Sequence, residues 1–280
     1  MARPRSAPPT VVLAGGHESH GGRDLTALVE GAGVRERAAA FAAAPAGRPL
    51  AEAVRSALAA GEGPVCVVPM TLGRDPGLVA DSARALRWLA AGPEGRGRLA
   101  LTAPFGAEHL VGWLRAAAAV APAGALLVTA PAAGPFDDAE LFRIARLVRQ
   151  FGRHRWVEVA FAGGDPDLVE GAERCRLLGA GEVTAVAASF GSPFGATAPP
   201  RLRDGGPLLR PAAVAAVVAA RTAAALHLLG HGEDGIAAGL DAEHGHGYAH
   251  THEPGGPRHP HPHAHAHSRS HHHAPAPVPH

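Results

Sequence analysis

Short apolar runs that end in glycine or proline alternate along this chain with longer Ala, Leu and Arg stretches of helical period, and the whole order is run through twice. Val11-Val12-Leu13-Ala14 reads as a strand ending in Gly15-Gly16, residues 49–60 as a helix, and Val65-Cys66-Val67-Val68 as a second buried strand. Over 75–91, Leu78, Val79, Ala83, Leu86 and Leu89 share one helical face, and Gly92-Pro93 stops the helix. Leu99-Ala100-Leu101 then predicts a strand and 107–119 a helix. Alternation of this kind implies a parallel sheet with helices on both faces.

The second pass begins at Leu126-Leu127-Val128, 115 positions after Val11. Pro49-Leu50-Ala51-Glu52-Ala53 is echoed by Asp167-Leu168-Val169-Glu170-Gly171, and Gly61-Glu62 by Gly181-Glu182. Val68-Pro69-Met70-Thr71-Leu72-Gly73 is echoed by Val186-Ala187-Ala188-Ser189-Phe190-Gly191. An offset near 115–120 residues is too long for a solenoid repeat and about the size of one small α/β domain. The expected organisation is a short disordered N-terminus at 1–9, two tandem α/β units at 10–122 and 123–229, and a disordered His-rich tail at 230–280. The cleft between the units is the default ligand site.

Charge and composition exclude several functions. All 26 basic residues are Arg, against 25 acidic ones, so there is no basic footprint for nucleic acid. Two cysteines, Cys66 and Cys175, cannot make a disulfide scaffold or a thiolate zinc site, and both read as buried thiols. No signal-peptide core precedes Val11. The uncharged stretch between Arg115 and Asp137 is broken by Pro122, Gly124, Pro131 and Gly134, so it cannot span a membrane as one helix. The Ala-rich segment 212–229 carries Arg221 and His227 and reads as a packed helix. A soluble, cytoplasmic protein without a membrane partner is expected; the pattern leaves the oligomeric state open.

The richest loop, Gly15-Gly16-His17-Glu18-Ser19-His20-Gly21-Gly22-Arg23-Asp24, follows the first strand, and open α/β sheets bind ligands at that end. His17 and His20 offer imidazoles and Glu18 a carboxylate, a donor set suited to Co, Ni, Fe or Zn. His-Glu-x-His is one residue short of the zincin motif and lies among glycines. The plainer reading is a polar turn, with Ser19 or Asp24 capping the next helix. A second loop, Pro69-Met70-Thr71-Leu72-Gly73-Arg74-Asp75-Pro76, offers Asp75 as a cap. Its Arg74 is either a fork for a substrate carboxylate or a solvated surface side chain. Asp81 reads as an exposed helix residue, and His109 and His154 as structural histidines.

Thirteen of the nineteen histidines lie between His244 and His280. His244, His246, His250, His252, His259, His261, His263, His265, His267, His271, His272 and His273 are spaced for multidentate binding of Ni, Co, Zn or Cu by neutral imidazole.

These stretches together resemble the class II, sirohydrochlorin-type chelatases of cobalamin and siroheme synthesis. The similarity rests on His20-Gly21-Gly22-Arg23-Asp24 after the first strand, against that family's His-Gly-Ser-Arg. It also rests on Ala40-Phe41 before Pro45, Ala160-Phe161 before Pro166, and Val67-Val68-Pro69-Met70-Thr71-Leu72. The resemblance covers roughly residues 10–229 and implies a lyase that inserts cobalt, iron or nickel into a tetrapyrrole, with the site between two α/β halves. In that register His17 or His20 holds the ion, and the other histidine or Glu18 takes a pyrrole proton. Arg23 and Arg74, with Thr71, meet the macrocycle's carboxylates. No tightly bound cofactor is implied; Co2+, Fe2+ or Ni2+ is substrate and tail ligand. The sequence departs from the pattern where the family's second metal histidine stands four before an Asp, because four before Asp81 is Gly77. That departure carries the alternative, a non-catalytic cobalt or nickel binding and delivery protein on a degenerate chelatase scaffold.

Overall fold

β1 (Thr10–Gly15) and β3 (Val65–Met70) are continuous apolar runs, and every residue of β3 is buried, as a strand covered on both faces requires. The computed structural model describes residues 7–30, 40–122, 124–192, 194 and 201–243. Around β1 and β3 stand α1 (Arg23–Glu30), β2 (Ala40–Pro45), α2 (Arg48–Ala60), α3 (Pro76–Ala90), β4 (Leu99–Leu101) and α4 (Ala107–Val120). All pairings are parallel, in the order β2-β1-β3-β4.

The second pass gives β5 (Ala125–Pro131), α5 (Pro135–Phe151), β6 (Trp156–Ala162), α6 (Leu168–Leu177), β7 (Val183–Ala187), β8 (Leu202–Asp204), α7 (Pro211–Leu229) and the short α8 (Ile236–Leu240). Its sheet runs β6-β5-β7-β8, again all parallel. The two orders are the same order shifted by four strands, which is the repeat that the sequence carries. Asp75 and Asp167 start α3 and α6 by accepting the backbone N–H of Leu78 and Glu170, at 2.9 and 2.8 Å.

Three boundaries differ from the expected ones. First, α7 follows the second sheet but packs on β3 and β4 of the first, burying Val214, Val218, Thr222 and Ala225. Its Ala225, Leu226 and Leu229 close over Cys66 and Ala100, so 123–229 is not a self-contained unit. Second, residues 230–243 belong to the folded part. α8 lies against α3, Ile236 is buried, and Glu243 pairs with Arg84 at 2.7 Å. The expected tail therefore shortens to 244–280, outside the described residues. Third, the backbone at residues 7 and 8 lies against Gly63, where an added Cβ would come within 2.6 Å of the Pro8 carbonyl oxygen.

The largest core cluster is shared by both halves. Leu110, Leu114 and Ala118 of α4 meet Leu126, Val128, Leu141 and Ile144, and Leu13 and Met70 join the same cluster. Each such Leu or Val contributes about 1.5–3 kcal/mol when fully buried, so the halves are held together by core packing. Among the described residues α7 is the one helix long and apolar enough to cross a membrane; its buried stripe faces the first sheet.

Candidate functional site

Four strand ends converge on the loop after β1. Its backbone doubles back so closely that a Cβ on Gly15 would lie 2.3 Å from the Gly22 Cα. His20, Gly21 and Gly22 all take positive φ, at 48, 66 and 90°, a turn that two glycines make accessible. Residues His17–Ser19 form a short 3-10 turn. The Glu18 carbonyl accepts the backbone N–H of Phe190, 2.9 Å away, just beyond β7. The first loop is thereby tied to the second half.

Within this turn His17 and Glu18 point into the protein. Asp75 Oδ2 lies 3.0 Å from His17 Nδ1 and accepts the His17 backbone N–H at 3.3 Å. His17 Nε2 is buried without a hydrogen-bond partner. Burial works against a charge on this imidazole, but the hydrogen bond and charge of Asp75, joined by the charge of Glu18, outweigh it and raise its pKa. Burial also opposes ionisation of Asp75, yet the His17 contact and the N–H groups of Leu78 and His17 hold its carboxyl below the ordinary value.

Glu18 is fully buried. Its Oε2 accepts the Thr71 hydroxyl and the Leu72 backbone N–H, the latter at 2.9 Å, and its Oε1 has no partner. Burial pushes this carboxyl up, and Arg74, Thr71 and His17 only partly counter it. Thr71 organises the second loop as well, because its oxygen accepts the backbone N–H groups of Gly73 and Asp75, both at 3.1 Å.

Arg74 is neither a solvated side chain nor an open fork for substrate. It is completely buried. Its Nη2 donates to Asp138 Oδ1 at 2.9 Å, and its Nε to the Asp137 carbonyl at 3.2 Å, both at the start of α5. Its carbon lies 5.8 Å from the centre of the Phe161 ring. The guanidinium thus locks the loop after β3 to the loop after β5, with Nη1 left unpartnered. Asp137 stands in the same field. Burial and the charge of Asp75 raise its carboxyl, against the pull of His17 and Arg74.

His20 goes elsewhere. Its Nδ1 lies 2.7 Å from Asp24 Oδ2, and Asp24 abuts Gly191 of the second half. His17 and His20 are therefore oriented by two different carboxylates. Arg23 is exposed and turns its Nε back to the His20 carbonyl at 3.1 Å. Among the described residues no three His, Cys, Asp or Glu side chains are grouped to hold a metal ion. The expected tail ligands from His244 onward lie outside the described residues.

The sequence did not single out Asp75 as the partner of His17, nor Asp137 and Asp138 as part of the site. One signal pointed to the first: the loops after β1 and β3 leave the same edge of adjacent parallel strands. The α5 pair reads from sequence as ordinary first-turn acid. His154 is structural as expected, with its ring nitrogens 3.1 and 2.9 Å from the Gly124 and Ala118 carbonyls. Cys66 and Cys175 are buried, and burial pushes both thiols up to about 12.

No family model and no curated protein sequence matches this chain. Among solved structures, it is similar to SirB from Bacillus subtilis, determined with Fe3+, at TM-score 0.50 and 13% identity. That match covers 77% of this chain and 94% of SirB. The fold is chelatase-like. DR2241 from Deinococcus radiodurans is described as a multi-domain protein with structural similarity to chelatases and two additional novel domains. It matches at TM-score 0.48 and 23% identity over 78% of this chain, which spans 55% of that protein's length. In the chelatase-like fold described here, the His17 loop and the Arg74 loop lie where the two sheets' carboxyl ends meet.

Proposed function

We propose that this chain is a metal chelatase that inserts a divalent ion, cobalt with iron or nickel as alternatives, into sirohydrochlorin or a related tetrapyrrole. The observation that carries this reading is a pair of buried, unpartnered acceptors on adjacent residues, His17 Nε2 and Glu18 Oε1. Insertion releases two pyrrole protons, so a site for it needs groups that receive them while the ion loses water. With Nδ1 bonded to Asp75, the His17 lone pair sits on Nε2, where it can meet the ion or a proton. The raised basicity of both groups suits proton transfer near neutral pH.

The charge of the cleft also favours a cation. Glu18, Asp75, Asp137 and Asp138 face one guanidinium and one imidazole, and such an excess raises the local concentration of a divalent ion. Arg74 is engaged by Asp138, so of the two arginines expected to meet macrocycle carboxylates the exposed Arg23 is the one that can do so. The test is direct. Purified protein mixed with sirohydrochlorin and Co2+, Fe2+ or Ni2+ should change the macrocycle absorption, and His17→Ala combined with His20→Ala should abolish that change with the fold intact. Full activity in the double variant rejects the assignment.

A non-catalytic cobalt or nickel delivery protein is the second reading. It is favoured by the lack of a three-ligand group among the described residues and by Gly77 at the second histidine position. Removing residues 244–280, which keeps Glu243 on Arg84, separates the two. A chelatase retains turnover at saturating metal, whereas a delivery protein loses most of its metal capacity.

A further inference from the structure

We infer that His227 and His231 form a second site for a divalent transition metal, on the folded part of the chain and separate from the His17 cleft. His227 is in the last turn of α7, and His231 lies four residues on, just beyond its end. The chain keeps turning between them, with the Gly230 N–H on the Leu226 carbonyl at 3.1 Å and the His231 N–H on the Leu228 carbonyl at 2.8 Å. Both rings consequently leave the same side, their centroids 4.8 Å apart and their planes at 72°. Two imidazoles four apart at helical spacing are a known way to present two nitrogens to one ion, each at about 2.0–2.1 Å for zinc.

The surroundings favour a cation. The pair stands at the carboxyl end of a 19-residue helix, where the helix dipole places negative charge. Glu233 follows in the same turn, its N–H on the Leu228 carbonyl at 3.0 Å. Both histidines are exposed, so a bound ion keeps water on its remaining positions. Neutral imidazole selects Co, Ni, Cu or Zn over Mg or Ca.

The position rules out a shared ion with His17. Ala225, Leu226 and Leu229 pack on Cys66 and Ala100, near the amino ends of β3 and β4. Thr71, Arg74 and Asp75 follow the carboxyl end of β3. From Cys66 to Thr71 is five residues of strand, about 16 Å. The pair lies at the far end of the sheet from the cleft and serves to hold an ion on the surface.

Thermal unfolding of the full chain with NiCl2 or ZnCl2 tests this. A ligand that binds the folded state better raises Tm by mass action, while a segment that binds equally in both states adds no shift. Because helical geometry sets the pair, Tm should rise by several degrees with metal and return on EDTA. The rise should persist in His17→Ala, where the cleft no longer contributes, and vanish when His227→Gln and His231→Gln are added to that variant. His231→Gln alone, beyond the end of α7, serves if the double variant unfolds. A wild type without a shift, a shift unchanged in these glutamine variants, or a shift abolished by His17→Ala overturns the proposal.

Discussion

Asp75 and His17 are joined twice: one carboxylate oxygen of Asp75 lies 3.0 Å from His17 Nδ1 and accepts the His17 backbone N–H at 3.3 Å. Its other oxygen accepts the Leu78 N–H at 2.9 Å and starts α3. A helix cap and the orientation of the candidate metal-facing imidazole thus depend on one side chain. A carboxylate that fixes the ring tautomer is the arrangement that makes the distal nitrogen a ligand or base.

Room for that carboxylate comes from Gly16, where an added Cβ would lie 2.0 Å from Asp75 Oδ2. Gly16→Ala should destabilise the fold by about 1–3 kcal/mol through overpacking. It should also lower the His17 pKa, because Asp75 must move away. Thermal melts and an NMR titration of the imidazole check both.

Asp75→Asn keeps an oxygen for the α3 cap and removes the charge. His17 is raised, so its share of stability is full below the ordinary imidazole value and fades as pH rises through the folded one. Asp75 is lowered, so its share is full above the ordinary carboxylate value and fades as pH falls through the folded one. The stability lost in Asp75→Asn should therefore be largest between about pH 4 and pH 6.5, set by ordinary Asp and His values, and smaller on either side. Denaturant titrations across pH measure it; a pH-independent difference contradicts the pairing.

Glu18→Gln preserves an oxygen for Thr71 and Leu72 while removing a buried carboxylate. Since the Glu18 pKa is raised, wild-type stability declines as pH rises from the ordinary glutamate value through the folded one. The variant should be at least as stable as wild type above neutral pH, yet lose about 10²–10⁴-fold in metal insertion if Glu18 takes a proton. Loss of stability together with unchanged turnover would assign Glu18 a purely structural part.

Arg74→Met removes the tie between the halves and leaves the Asp138 carboxylate facing a buried apolar side chain. With Asp138 one-fifth exposed, the cost should be about 2–4 kcal/mol. Arg74→Met combined with Asp138→Leu should recover much of it, and a double-mutant cycle in urea reports the coupling.

Gly77 stands beside Asp75, and an added Cβ there would have only ordinary contacts, 3.6 Å to Glu243 Oε1 and 3.7 Å to Asp75 Oδ1. Gly77→His should fit and tighten Co2+ binding in the cleft about tenfold or more, as a second imidazole would. Calorimetric titration of a chain ending at residue 243, against the same chain carrying Gly77, gives the comparison.

The architecture was legible because it is written in period and repetition. Val11–Ala14 and Val65–Val68 are short, valine-rich and apolar without alternation, as a strand buried on both faces is, and the second pass at Leu126 repeats the order. β2 does not read as a strand from sequence, since Ala40–Pro45 is mostly alanine and alanine carries little strand preference. The His17 loop was legible because glycines flank two histidines at a strand end. Its working partners were not. Asp75 is 58 residues from His17, and Asp138 is 64 from Arg74, so neither pairing leaves a trace in local pattern. The same holds for α7, whose apolar surface tells that it packs but not on which sheet. Sequence by itself determined the strands, the repeat and the histidine loop at a strand end. Tertiary structure alone decided that His17 pairs with Asp75 and that Arg74 is an internal tie, because burial and pairing are set by residues distant in the chain.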